Sequence, residues 1–175
     1  MRVDGIWPGA MTHEDRIDEG AQPPASGARV LVTDDDPDLR ALLCGILADE
    51  GHKVAAVADG RRALESILND PPDLVMLDVM MPHMDGFAVL KGMAEAGIGN
   101  VKVLMVTARS AETDWAEGYR LGADYYVTKP FDPAELAAAV ATVLTSTKAE
   151  LASQREHELD KAEMLSQLES LFDVR

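Results

Sequence analysis

The chain has 175 residues, 47% of them hydrophobic and 27% charged, enough for one globular domain and a short addition. A formal net charge of −15, with no concealed basic segment, argues against nucleic-acid binding, which needs a basic footprint, and against anionic membrane surfaces. A single cysteine, Cys44, rules out an intramolecular disulfide and a cysteine-built zinc site, and without an apolar run of membrane-span or signal-peptide type the expected location is cytoplasmic.

Residues 1–27 combine Pro8, Pro23, Pro24 and several glycines with few apolar residues, the pattern of a disordered tail. Arg29 to Thr33 reads as a first strand, with Asp34, Asp35 and Asp36 directly after it. Asp36 is placed to cap a helix that has Pro37 at its first position. Leu39, Leu42, Leu43, Ile46 and Leu47 then recur at helical spacing until Gly51. Lys53 to Ala58 is a second strand, and Ala63, Leu64, Ile67 and Leu68 line a second helix that Pro71 and Pro72 stop.

Leu74 to Leu77 is a continuous apolar run, the mark of a strand buried on both faces, and Asp78 sits where it ends. Pro82 prevents a continuing ladder, and Asp85-Gly86 is a turn signal. Phe87, Val89, Leu90 and Met93 support a third helix closed near Gly97. Val101 to Val106 is a fourth strand ending at Thr107, followed by a helix over Ala111 to Leu121 that Gly122 ends. Tyr125 to Thr128 is a fifth strand ending at Lys129-Pro130, and Leu136, Val140, Val143 and Leu144 mark a fifth helix. Alternating strands and helices over residues 28–148 imply an α/β domain, a parallel sheet with helices on both faces.

Parallel strands bring their carboxyl ends to one edge, where open α/β sheets place their chemistry. That edge collects Asp34, Asp35, Asp78, Thr107 and Lys129. Carboxylates gathered there repel one another, and a hard divalent cation with oxygen ligands, Mg²⁺, relieves the repulsion. Asp78 beside such an ion fits a nucleophile that accepts a phosphoryl group, with Lys129 opposite to pair the phosphoryl oxygens and Thr107 to hydrogen-bond one of them. Met76 and Met93 fit core periodicity, and soft thioethers do not suit Mg²⁺. His83 reads as an exposed loop residue. Trp115, near Tyr119 on the fourth helix, reads equally as a partly buried ring and as a partner contact.

The run Val-Leu-Val-Thr-Asp-Asp-Asp-Pro37, the stretch from Asp78 through Met-Met-Pro-His-Met-Asp-Gly86, Thr107-Ala108, and Gly-Ala-Asp-Tyr-Tyr-Val-Thr-Lys-Pro-Phe131 together resemble the receiver domain of two-component response regulators. The resemblance covers residues 28 to about 148. It implies a flavodoxin-like (βα)5 doubly wound sheet in strand order 2-1-3-4-5. It further implies that Asp78 takes a phosphoryl group from a histidine kinase or phosphotransfer protein. Asp34, Asp35 and Asp78, with the Met80 backbone carbonyl, match the Mg²⁺ ligands; Thr107 and Tyr126 match the switch pair; Lys129 matches the phosphate-pairing lysine. Lys129-Pro130 matches a bond that is cis in the family. Such a protein is a signalling switch and not an enzyme with an external substrate.

Plainer alternatives remain for single residues: a helix cap for Thr107, strand packing for Tyr126. Asp34-Asp35-Asp36 also satisfies the Asp-x-Asp opening of haloacid-dehalogenase-like phosphatases, but Asp38 departs from that pattern and the Asp78 stretch is left without a use.

Residues 149–175 are too few for a second core, and they contain neither proline nor glycine. They continue the fifth helix or restart it as a separate one. A heptad frame through Leu144, Leu151 and Leu165 is interrupted at Gln154, Glu158 and Lys161, while Met164, Leu165, Leu168, Leu171 and Phe172 form an apolar stripe. The favoured expectation is intermolecular use, as a homodimer or as a docking helix for a protein partner. A helix folded back on its own receiver is the alternative. A larger regulator, with an output domain beyond a coiled-coil linker, is a further alternative for the whole chain.

Overall fold

A computed structural model describes residues 27–108 and 112–172; the expected disordered tail, apart from Gly27, lies outside the described residues. Five strands form one parallel sheet: β1 (Arg29–Thr33), β2 (Lys53–Val57), β3 (Leu74–Asp78), β4 (Lys102–Ala108) and β5 (Tyr125–Lys129). Their order is β2-β1-β3-β4-β5, the doubly wound order expected. The helices are α1 (Pro37–Asp49), α2 (Gly60–Asn69), α3 (Gly86–Glu95), α4 (Glu112–Leu121), α5 (Pro133–Thr145) and α6 (Lys148–Phe172). No described helix is long and apolar enough to cross a membrane.

Strand alternation divides the core into two layers. Leu31, Val75, Leu77, Val103 and Met105 face one side and pack with Ala63 and Ile67 of α2 and Val89, Leu90 and Met93 of α3. Val30, Val32, Leu74, Met76, Leu104 and Val106 face the other and pack with Leu43, Cys44 and Leu47 of α1 and Leu136, Val140 and Leu144 of α5. Met76 and Met93 are core residues, as their periodicity implies. Leu42 and Leu68 are exposed, because the sheet takes a narrower stripe of each helix than the sequence pattern offers.

Local chemistry sets the helix ends. Asp36 caps α1 by accepting from the Asp38 and Leu39 amides, with Pro37 in the first turn. Asp59, Asp85 and Asp132 cap α2, α3 and α5 in the same way. Gly51 and Gly122, at φ +85 and +109, turn the chain after α1 and α4 in a region that strains other residues.

The tail restarts instead of continuing α5. Ser146 is extended, and Thr147 opens α6 with a reciprocal cap: its hydroxyl accepts the Glu150 amide at 3.2 Å while Glu150 Oε2 accepts the Thr147 amide at 2.7 Å. Helix α6 then packs against α4 of its own domain. Leu151 is fully buried among the residues under α5, so the first turns of α6 belong to the receiver core. The helix that the sequence assigns to intermolecular use is therefore engaged within the chain along its first half.

Candidate functional site

The strand register builds the site. Asp78 ends β3 opposite Val106 of β4, Asp34 follows β1 beside it, and Lys129 ends β5 opposite Ala108. Asp34 and Asp78 are buried, at 1% and 5% exposure, while Asp35 is exposed. Lys129 spans the crevice, placing Nζ 2.8 Å from Asp34 Oδ2 and 3.1 Å from Asp78 Oδ2. The other oxygens are directed too: Asp34 Oδ1 accepts the Asp36 amide at 2.9 Å, and Asp78 Oδ1 accepts the Met80 amide at 3.2 Å.

Burial raises the Asp78 pKa above the usual carboxylate range; Lys129 opposes the rise and the neighbouring Asp34 charge adds to it. For Lys129, burial alone favours the neutral amine, but the hydrogen bond to Asp34 and the charge of Asp78 outweigh it, and its pKa is raised. The lysine therefore stays charged between the two acids.

Asp34, Asp35 and Asp78 each bring a carboxylate oxygen within 4.8 Å of the others. Mg²⁺ takes such oxygen donors at about 2.1 Å, so the three carboxylates would draw closer together around it. Hard oxygen donors at the mouth of a crevice fit such an ion. The Met80 side chain is 72% exposed, leaving its backbone as the part of that residue available to the site.

Thr107 lies within β4, at 1% exposure, and α4 begins only at Glu112, so it does not cap that helix. Its hydroxyl donates to the Ala108 carbonyl at 3.0 Å. Tyr126 is half-buried against α4: its ring centroid is 5.0 Å from that of Tyr119, edge to face, and 6.0 Å from that of Trp115. Trp115 is thus a packed ring. Gly118 lies directly under the Tyr126 hydroxyl, where any Cβ would collide with it. His83 is an exposed loop residue, at φ 68. Lys129-Pro130 is cis.

Two supports escaped the sequence reading, and a third, Gly86, was read only as part of a turn. Arg40 of α1 donates to the Asp34 and Asp35 carbonyls at 2.7 and 3.3 Å, bracing the acidic loop from behind. Gly86 donates its amide to the Val79 carbonyl at 3.0 Å, and a Cβ there would lie 2.5 Å from the Asp78 carbonyl, so only glycine lets the loop close under Asp78. Asp124, fully buried at the start of β5, accepts the Val103 amide at 2.8 Å and pairs with Arg155 of α6. Asp85-Gly86 was legible as a turn, but Arg40 and Asp124 act over distances that leave no local pattern.

A flavodoxin-like parallel sheet with an acidic cluster and one lysine at its carboxyl edge defines a receiver-type signalling domain. The chain belongs to the response regulator receiver domain family, whose model matches residues 30–141. It is 47% identical over 111 residues to the transcriptional regulatory protein TcrA of Mycobacterium tuberculosis, covering 63% of this chain and 44% of that one. It is 41% identical over 139 residues to the DNA-binding response regulator MtrA of Mycolicibacterium smegmatis, covering 79% and 55%. The chain thus spans about half the length of the curated relatives it matches. Among solved structures, the chemotaxis protein CheY4 of Vibrio cholerae aligns at TM-score 0.64 and 32% identity, over 68% of this chain and all of that one (100%). The signal receiver domain of a histidine kinase from Syntrophus aciditrophicus aligns at TM-score 0.63 and 30% identity, over 70% and 93%.

Proposed function

We propose that the chain accepts a phosphoryl group on Asp78 from a histidine kinase or phosphotransfer protein and uses it to reset protein–protein contacts. The observation that carries this reading is the Lys129 ammonium held between the Asp34 and Asp78 carboxylates, at 2.8 and 3.1 Å. An Asp78 oxygen attacks the phosphorus of a phosphohistidine, a P–O bond forms, and the P–N bond breaks with its electron pair returning to the imidazole. Lys129 pairs with a phosphoryl oxygen and holds the group in line. The Thr107 hydroxyl turns from the Ala108 carbonyl to a second phosphoryl oxygen, and Tyr126 follows into the space vacated. Asp34, Asp35, Asp78 and the Met80 carbonyl would hold Mg²⁺, which when bound neutralises charge on the transferring group.

Asp36, the second acid of the Asp-x-Asp alternative, is used as a helix cap, which disfavours a phosphatase centred on Asp34. A cytoplasmic signalling role is the matching location, and residues 149–175 are a contact element whose apolar stripe, with Met164 and Leu168 at 65% and 45% exposure, suits a second copy of the chain. The Leu171 and Phe172 side chains lie outside the described residues. The length of the relatives supports a second arrangement, in which this is the receiver part of a larger regulator with its output domain beyond α6.

Incubation with Mg²⁺ and acetyl phosphate, followed by intact-mass analysis, tests the assignment. Asp78→Asn is expected to abolish labelling. A stable label on that variant, elsewhere in the domain, contradicts it.

A further inference from the structure

Helix α6 is tied to the α4–β5 edge by a charge that cannot stand alone. The Asp124 side chain has 0% exposure, and Arg155 Nη2 meets its Oδ1 at 2.6 Å. Lys148 stands farther away, 4.0 Å from Asp124, with its Nζ donating to the Val101 carbonyl at 3.0 Å. A buried carboxylate that loses its close cation is strongly unfavourable. Arg155 is therefore a key that the buried acid requires. Leu151 adds a fully buried apolar anchor, and Arg120 of α4 approaches Glu163 at 3.6 Å in an exposed pair of little strength.

The other side of α4 carries the aromatic packing of the switch. Tyr119 touches Tyr126 edge to face at 5.0 Å and also lines an open cleft of about 560 Å³ beneath α6, together with Tyr125, Gln154, His157 and Glu158. Burial, with the Glu158 charge next, pushes the Tyr119 hydroxyl up to about 12. Tyr119 is thus shared between Tyr126 and α6.

We propose that the α4–β5 edge is a docking surface whose resident occupant is α6, and that phosphorylation of Asp78 releases α6 from it. The proposal rests on the phosphoacceptor reading. When Tyr126 moves toward Thr107, Tyr119 loses its edge-to-face partner and α4 is free to shift against α6. The contact between Arg155 and Asp124 then sets the threshold for release. By linkage, a change that loosens α6 also favours the receiver conformation that the phosphoryl group favours.

Hydrogen exchange read by mass spectrometry on the full chain, with Mg²⁺ and with or without acetyl phosphate, tests this. Amides of residues 155–163 are expected to exchange about tenfold faster once Asp78 is phosphorylated, in the usual range of coupling between sites. Arg155→Gln is expected to exchange fast without phosphodonor while still accepting the label. Arg155→Lys keeps the charge and is expected to retain most of the protection. A chain whose intact mass shows the phosphoryl group but whose α6 amides remain as protected as before overturns the proposal alone. A chain that takes no phosphoryl group overturns the proposal together with the reading beneath it. The wild-type comparison stands whether or not the variants fold.

Discussion

Lys129 Nζ lies 3.1 Å from Asp78 Oδ2, on the opposite carboxylate oxygen from the one that accepts the Met80 amide. The acid is thus clamped from both sides, with a cation on one oxygen and a backbone dipole on the other. Lys129 is also the positive charge bonded to Asp34, so removing it leaves two buried carboxylates facing each other. Lys129→Met is expected to cost about 3 kcal/mol at neutral pH, the low end for orphaning a buried ion pair, since the lysine is 20% exposed. Millimolar Mg²⁺ is expected to restore part of the loss by replacing the missing charge. Urea denaturation with and without Mg²⁺ measures both effects; an unchanged midpoint would show that the acids do not repel.

Asp78 itself weakens the fold at neutral pH. Its native pKa is raised, chiefly by burial, above the ordinary value of 3.8. The native state then holds the proton more tightly than the unfolded chain, so this contribution is fully present below the unfolded pKa and is lost as pH rises through the native one. Asp78→Asn removes that dependence. The variant is expected to be more stable than wild type at pH 7 without Mg²⁺, and the advantage is expected to vanish near pH 4 and below. Thermal denaturation at the two pH values checks the sign.

The site was legible because its parts are local and end strands. Leu74 to Leu77 announces a strand buried on both faces, and all of β3 is buried. Asp36-Pro37 announces the start of α1, and the cap is formed as written. The break before α6, left open between continuation and restart, does have a local signal in the spacing Thr147 to Glu150, a capping box with its acid in place. Uninterrupted helix propensity across residues 149–172 hid it. Lys102 shows what a local pattern withholds. It opens an apolar strand, is 6% exposed, and donates to the Leu144 and Ser146 carbonyls at 2.7 and 2.8 Å, satisfying the end of α5 from across the fold. Nothing near it in sequence signals that partner, and the same holds for Arg155 and Asp124.

A second titration lies away from the site. His52, 8% exposed between α1 and β2, has its pKa lowered by burial, with Glu50 opposing. The unfolded chain takes up the proton first, near the ordinary value of 6.5, so stability is lost as pH falls from there toward the depressed native value. One proton gives a slope of at most about 1.4 kcal/mol per pH unit. His52→Gln is expected to flatten the denaturation midpoint between pH 7 and pH 5. An equally steep fall in the variant would assign the dependence to other groups.

The place of Tyr126 is set by the residue beneath it. A Cβ at position 118 would strike the Tyr126 hydroxyl, would lie 2.9 Å from the ring carbon that bears it, and would sit 3.1 Å from Phe87 Cε1. Phe87 packs against the core on one side, so the ring of Tyr126 is the part able to give way. Gly118→Ala is therefore expected to drive the tyrosine out of its seat against Trp115 and Tyr119 at a cost of about 1–3 kcal/mol, the usual range for overpacking. Because Trp115 stacks on Tyr126 at 6.0 Å, its fluorescence reports the displacement directly. Tyr126→Phe in the Gly118→Ala background removes the atom in closest conflict and is expected to recover part of the stability, whereas the remaining contact at 2.9 Å prevents full recovery. Two single variants and the double variant form a cycle whose coupling term isolates the hydroxyl. Additive effects would mean that α4 moves as a body to admit the methyl group, and that the glycine does not fix the place of Tyr126.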